Sequence, residues 1–181
     1  PTYAQTVVGV GSLEAGLAVA VLLLGWPIAA VFSGRLYLAH GFRRCCGLGA
    51  LVLTLGGVVV ATLGAGSSIW HVAAGCLVVG LGLGLVGTPT LVAAQLSVGW
   101  EERGVVTAMN MFFRTLGSAV GVAAIGALAN RAARSVAAGA GHRAEVLAAS
   151  QQAFGAIVVI GLVMLAVAWV MPRDAPGRKE R

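Results

Sequence analysis

Charged side chains are scarce in this sequence: only 10% of its 181 residues are Asp, Glu, Lys or Arg, whereas 59% are hydrophobic. Soluble domains carry a charge at about a quarter of their positions, so the shortage excludes an ordinary water-soluble domain. Acidic residues are outnumbered six to twelve by basic ones, and they are Glu14, Glu101, Glu102, Glu145, Asp174 and Glu180. All six lie in connectors or near the ends of apolar runs. We therefore expect no carboxylate at membrane depth, and any proton-carrying acid should lie outside this chain.

Groupings of metal-binding or nucleophilic residues are also missing. Cys45, Cys46 and Cys76 show neither zinc-ligand spacing nor a disulfide pattern, and the three histidines are far apart. Ser118 has no histidine at membrane depth to activate it, which disfavours an intramembrane hydrolase. The basic residues lie in short segments between apolar runs, which argues against nucleic acid as a partner. We expect no enzyme activity, no metal and no cofactor.

Five long apolar runs dominate the chain, at about residues 13–32, 45–63, 71–98, 104–130 and 152–171. Each can cross roughly 30 Å of hydrocarbon at about 1.5 Å per helical residue. The pattern predicts an all-α, polytopic membrane protein with a helix bundle at 1–171, a tail at 172–181 and the lipid bilayer as its surroundings. Because the chain opens at Pro1 without an initiator Met, we expect it to be a piece of a longer protein.

The orientation follows from the basic residues of the connectors, because cytoplasmic loops retain positive charge. One side of the predicted bundle holds eight basic residues, Arg35, Arg43, Arg44, Arg103, Arg173, Arg178, Lys179 and Arg181. The other side holds three, Arg131, Arg134 and Arg143. The asymmetry predicts a cytoplasmic tail in a plasma membrane, and the arginine-rich composition suggests a bacterial one.

A single arginine lies deep within the fourth run. Arg114 is about ten residues from its start, near the bilayer midplane. It shares one helical face with small and polar residues, namely Thr107, Asn110, Gly117, Ser118 and Gly121. Three interpretations are open: Arg114 clamps backbone or a carboxylate of an absent helix, it contacts substrate, or the helix register differs. The predicted interior polar set also includes Tyr3, Gln5, Trp26, Thr88, Thr90 and Gln95.

Glycine and proline mark the expected packing and bending of the helices. Gly80 and Gly84 in the third run, like Gly117 and Gly121 in the fourth, are spaced for close helix approach, which predicts tight packing of both helices. Pro27 and Pro89 interrupt the first and third runs. Each either kinks its helix or is an ordinary proline of a membrane helix.

Three stretches of the sequence carry a family resemblance: the opening QTVVGVGSLEAGL and the later GLGLGLVGTPTLVAAQLSV and TAMNMFFRTLGSAVGVAAIGAL. Together they resemble helices of the fourteen-helix drug:proton antiporters of the major facilitator superfamily. Between them, SGRLYLAHGFRR is similar to the cytoplasmic motif G-x-L-x-D-R-x-G-x-R. The residues at this predicted loop motif are Gly34, Arg35, Leu36, Gly41, Arg43 and Arg44. Leu38 and Ala39 stand where the motif has Asp and Arg, which puts its charge-based latch in doubt.

The resemblance implies a C-terminal helix bundle with five helices and the end of a sixth, paired with an N-terminal bundle missing from this chain. It implies a multidrug exporter that exchanges a small-molecule substrate for protons by alternating access, the kind of protein that confers antibiotic resistance. The alternative is a small membrane scaffold or assembly protein without transport activity. The sequence does not name the substrate.

The charge asymmetry generates a topology prediction. We expect the segment carrying Arg43 and the tail after Pro172 to face the cytoplasm. Single cysteines introduced there should resist an impermeant thiol reagent applied to intact cells, whereas a cysteine near Gly139 should react. Labelling of the Gly139 region from the cytoplasmic side alone would reverse the orientation.

Overall fold

A computed structural model describes residues 2–64, 66–136 and 141–171. Its five α-helices are α1 (Ser12–His40), α2 (Phe42–Ala61), α3 (Ile69–Leu96), α4 (Arg103–Ser135) and α5 (His142–Val170). A short π-helix at Ala4–Val8 precedes α1, and a 3-10 turn at Trp100–Glu102 leads into α4. All five α-helices are long and apolar enough to span a membrane, and the described part of the chain contains no strand. The predicted all-α, polytopic fold is confirmed.

The helix ends differ from those expected, most clearly around the predicted loop motif. The first helix continues beyond residue 32 as far as His40, so most of the expected connector is helical. The chain turns at Gly41 alone, where φ is 86°, a conformation that favours glycine because it has no Cβ. At the other end of the chain, α5 begins at His142 and not near residue 152. The expected tail at 172–181 lies outside the described residues.

Close contact between helix backbones holds α3 against α1. A Cβ placed on Gly80 or Gly84 would collide with the backbone carbonyls of Leu22 and Trp26 in α1. The approach is mutual, because a Cβ on Gly25 of α1 would lie 2.9 Å from the carbonyl oxygen of Leu77. Small residues allow such contact where lipid supplies no hydrophobic drive for association. The spacing of Gly80 and Gly84 predicts close packing of the third helix, and both glycines lie at this contact.

A second set of glycines packs α3 against α2. A Cβ on Gly82 would lie 2.5 Å from the backbone nitrogen of Leu53. In return, a Cβ on Gly56 of α2 would lie 2.7 Å from the backbone nitrogen of Val79. The central helix thus presents glycine-bearing faces to two neighbours. On its other side α2 meets α5, where a Cβ on Gly161 would lie 2.5 Å from the hydroxyl of Thr54.

The fourth helix lies at the edge of the bundle. It packs along α5 and touches part of α3, but none of its residues is buried. A Cβ on Gly117 or Gly121 would meet no atom within 4 Å among the described residues. The tight packing expected for this helix is therefore not found within the described chain, because those two glycines face open space.

The glycine contacts generate a stability prediction. Gly80→Ala in the full-length protein should destabilise the bundle by about 1–3 kcal/mol, because the added methyl group forces the α1 and α3 backbones apart. Thermal unfolding in detergent would measure the change. Gly16→Ala is the matched control, because open space surrounds Gly16 on α1. Equal unfolding temperatures for the two variants would contradict the packing argument.

Candidate functional site

The side chain of Arg114 bridges two helices that are otherwise apart. Its guanidinium carbon lies 4.5 Å from the ring centroid of Trp26 in α1, within the range of a cation–π interaction. No Cα of α1 lies within 8 Å of a Cα of α4 among the described residues. Arg114 therefore spans the space between α1 and α4, which α3 borders because it contacts both helices. We call this space the groove between α1 and α4.

The indole of Trp26 is held between its own helix and α3. A Cβ on Gly87 of α3 would lie 3.7 Å from Cζ2 of Trp26, an ordinary van der Waals separation. The indole therefore contacts α3 where that helix has no side chain, and it also receives the guanidinium of Arg114. Sequence reasoning missed Gly87, and its position two residues before Pro89 gave no signal of this contact.

A hydrogen bond between side chains joins α3 to α4 nearer the start of α4. Nε2 of Gln95 donates to the hydroxyl of Thr107 at 2.8 Å, and that hydroxyl donates to the carbonyl of Arg103 at 2.7 Å. Thr107 and Arg114 are two helical turns apart on one face of α4. The predicted polar stripe therefore faces the neighbouring helices at both points. Asn110, between them, is half-buried.

Other members of the predicted interior set lie elsewhere. Tyr3 is buried, donates its hydroxyl to the carbonyl of Gly64 at 2.8 Å and meets Phe154 edge-on at 5.5 Å. Tyr3 thus packs at the loop end of the bundle, and Gln5 is exposed. Thr88 is half-buried on α3, whereas Thr90 is exposed and donates to the carbonyl of Val86 one turn back.

The predicted loop motif forms a second group of contacts. The guanidinium carbon of Arg43 lies 5.8 Å from the ring centroid of Trp169 in α5, and Tyr37 stacks on Phe42 at 4.8 Å. Gly34 and Leu36 are half-buried in α1, whereas Arg35 and Arg44 are exposed. Leu38, at the expected Asp place, is 80% exposed.

The charges of the described residues are unevenly placed. The described carboxylates are Glu14, Glu101, Glu102 and Glu145, and all of them lie in a first helical turn or in the 3-10 turn. The groove between α1 and α4 thus has a cation within it and acids only at the helix ends. Within the described ranges, no three His, Cys, Asp or Glu side chains cluster as a metal site would require.

Comparison with known proteins finds two transporters and no matching family model. The chain is 32% identical over 130 residues to the multidrug transporter protein MdtP of Bacillus subtilis, covering 72% of this chain and 24% of that protein. It is 29% identical over 123 residues to the MFS-type transporter clz4 of Cochliobolus lunatus, covering 67% and 22% respectively. The matched segment therefore spans about a quarter of the length of these relatives.

The fold and the relatives agree with each other. Five membrane-length helices are what the resemblance to drug transporters led us to expect. The division into fourteen-helix proteins stays a prediction. The chain is a multi-pass membrane protein, and these homologues relate it to the multidrug transporters of the major facilitator superfamily.

Proposed function

We propose that this chain forms one helix bundle of a secondary transporter that exports drugs or other amphiphilic molecules. The observation that carries the proposal is the contact of Arg114 with Trp26 across the open groove between α1 and α4. A charged side chain within the membrane costs free energy, and such residues usually belong to functional sites. The relatives support the same conclusion, because both are named as transporters. We propose a carrier and not an enzyme.

The groove offers an amphiphile two kinds of contact. Trp26 supplies a flat aromatic face on which a planar ring can stack, and Arg114 supplies a positive charge that a polar or aromatic group can contact. The Arg114–Trp26 contact is exchangeable, because a cation–π pair is worth only about 0.5–2 kcal/mol. A substrate ring that replaces Arg114 on Trp26, or Trp26 beside Arg114, therefore forms a new contact that offsets much of the free energy of the lost cation–π pair.

Alternating access requires a second bundle against which this one can move. The exposed surface of α4 suits contact with such a second bundle, because large apolar side chains such as Phe112 and Phe113 are 62% and 59% exposed. A carboxylate of the second bundle would supply the proton site, since the described acids lie at helix ends. Proton antiport across the plasma membrane is part of this proposal.

The proposed role of Arg114 generates a transport prediction. Arg114→Ala in the full-length protein should abolish export, and Arg114→Lys should restore only part of it, because an ammonium does not reproduce the planar guanidinium over an indole. Efflux of a fluorescent dye at equal expression is the measurement. Arg131→Ala is the control, because Arg131 is an exposed arginine on the same helix. Normal efflux by the Arg114→Ala variant would refute the role.

The need for a second bundle generates another prediction. This chain reconstituted alone in liposomes should show no dye movement under an imposed pH gradient, because one wall of a site cannot alternate its access. Flux should return when the remaining part of the full-length protein is co-expressed with it. Gradient-dependent flux by the chain alone would mean that it completes a site by self-association. Absence of flux from the intact protein would favour a scaffold.

A further inference from the structure

A groove of about 960 Å³ lies between the first turns of α2 and the last turns of α5. Arg43 and Arg44 line it at the start of α2, together with His40 at the end of α1. Deeper along the helices its walls are apolar, with Leu48 and Leu51 from α2 facing the end of α5. This groove is separate from the one that Arg114 crosses, which lies between α1 and α4.

The spacing of the lining residues explains the change from basic to apolar. Arg44, Leu48 and Leu51 follow one another at intervals of four and three residues and so share one face of α2. The face begins with a guanidinium at the helix N-terminus, where the helix dipole also favours an anion. It continues over about two turns, roughly 10 Å, into side chains suited to hydrocarbon.

At the mouth of the groove, side chains from the two walls contact each other. The guanidinium of Arg43 lies over the indole of Trp169, which lines the opposite wall and is itself 72% exposed. Leu48 and Leu51 are 46% and 44% exposed, so the apolar wall is also open to an occupant. A tryptophan beside arginines at a helix end is typical of the boundary between headgroups and hydrocarbon.

We propose that this groove is a binding site for an anionic phospholipid. The phosphate lies at Arg43, Arg44 and His40, and an acyl chain follows Leu48 and Leu51 toward Leu165 of α5. Basic pockets between membrane helices recognise anionic headgroups in this way. A free anion would use the basic end alone, whereas a lipid uses the whole length of the groove.

A neighbouring groove on α5 lacks the basic residues that would bind a lipid headgroup, and so shows what those residues contribute to selectivity. It measures about 680 Å³ and shares Ala168 with the first groove, but its described lining, which includes Cys46, Thr90 and Val167, has no basic residue. This second groove can accept a hydrocarbon chain without selecting a headgroup. We therefore assign the selectivity for anionic lipid to Arg43 and Arg44.

Native mass spectrometry of the purified full-length protein would test the site. Phosphatidylglycerol should bind more tightly than phosphatidylcholine with the same acyl chains. Replacing both Arg43 and Arg44 with Gln should weaken phosphatidylglycerol binding by about fivefold per arginine and leave phosphatidylcholine unchanged. Arg44→Gln alone is the variant least able to disturb folding, because Arg44 is exposed. It should show the single fivefold loss.

Two comparisons decide between the proposal and simpler explanations. Arg35→Gln removes an exposed arginine near the same end of the bundle but outside the groove lining, so it should retain the lipid preference. An equal loss in Arg35→Gln and Arg44→Gln would mean general surface charge and would overturn the site. Inorganic phosphate and soluble glycerophosphoglycerol should fail to displace the lipid at equal concentration. Displacement by either would identify a free-anion site and refute the lipid proposal.

Discussion

Contact between helix backbones at α3 is the constraint on which the rest of the bundle depends. Gly80 and Gly84 admit α1, and Gly82 admits α2, each at distances where a methyl group would not fit. In lipid this closeness replaces the hydrophobic effect, because dispersion and polar backbone contacts are the forces left to hold helices together. The position of α1 in turn sets Trp26, and so the width of the groove that Arg114 crosses.

The sequence predicted the helices well and their contacts only in part. Hydropathy alone identified five spans, because each run had to satisfy its backbone hydrogen bonds within apolar surroundings. The spacing of Gly80 and Gly84 predicted close packing, but the same spacing at Gly117 and Gly121 did not lead to it in the described chain. A face of small residues shows that another helix can pack closely against it, but it does not identify that helix. The spacing of glycines within α4 therefore could not show which helix, if any, packs against it.

At the candidate site, too, the sequence predicted individual residues but not their contacts. Arg114 was recognisable because a cation deep in an apolar run is expensive wherever it points. Its partner Trp26 belonged to the predicted interior set, yet nothing in the sequence paired the two, since they are far apart in the chain. Tyr3 was placed in the same set but packs against Phe154 and the carbonyl of Gly64. Polarity predicts that a side chain needs a partner, and only the fold shows which partner it has.

The single-residue turn at Gly41 has a mechanical consequence. With α1 ending at His40 and α2 beginning at Phe42, the connection has no slack, and the stacked rings of Tyr37 and Phe42 stiffen it further. A connection this short transmits the movement of one helix to the next. A tilt of α1 at the groove would therefore also move the start of α2, where Arg43 contacts Trp169.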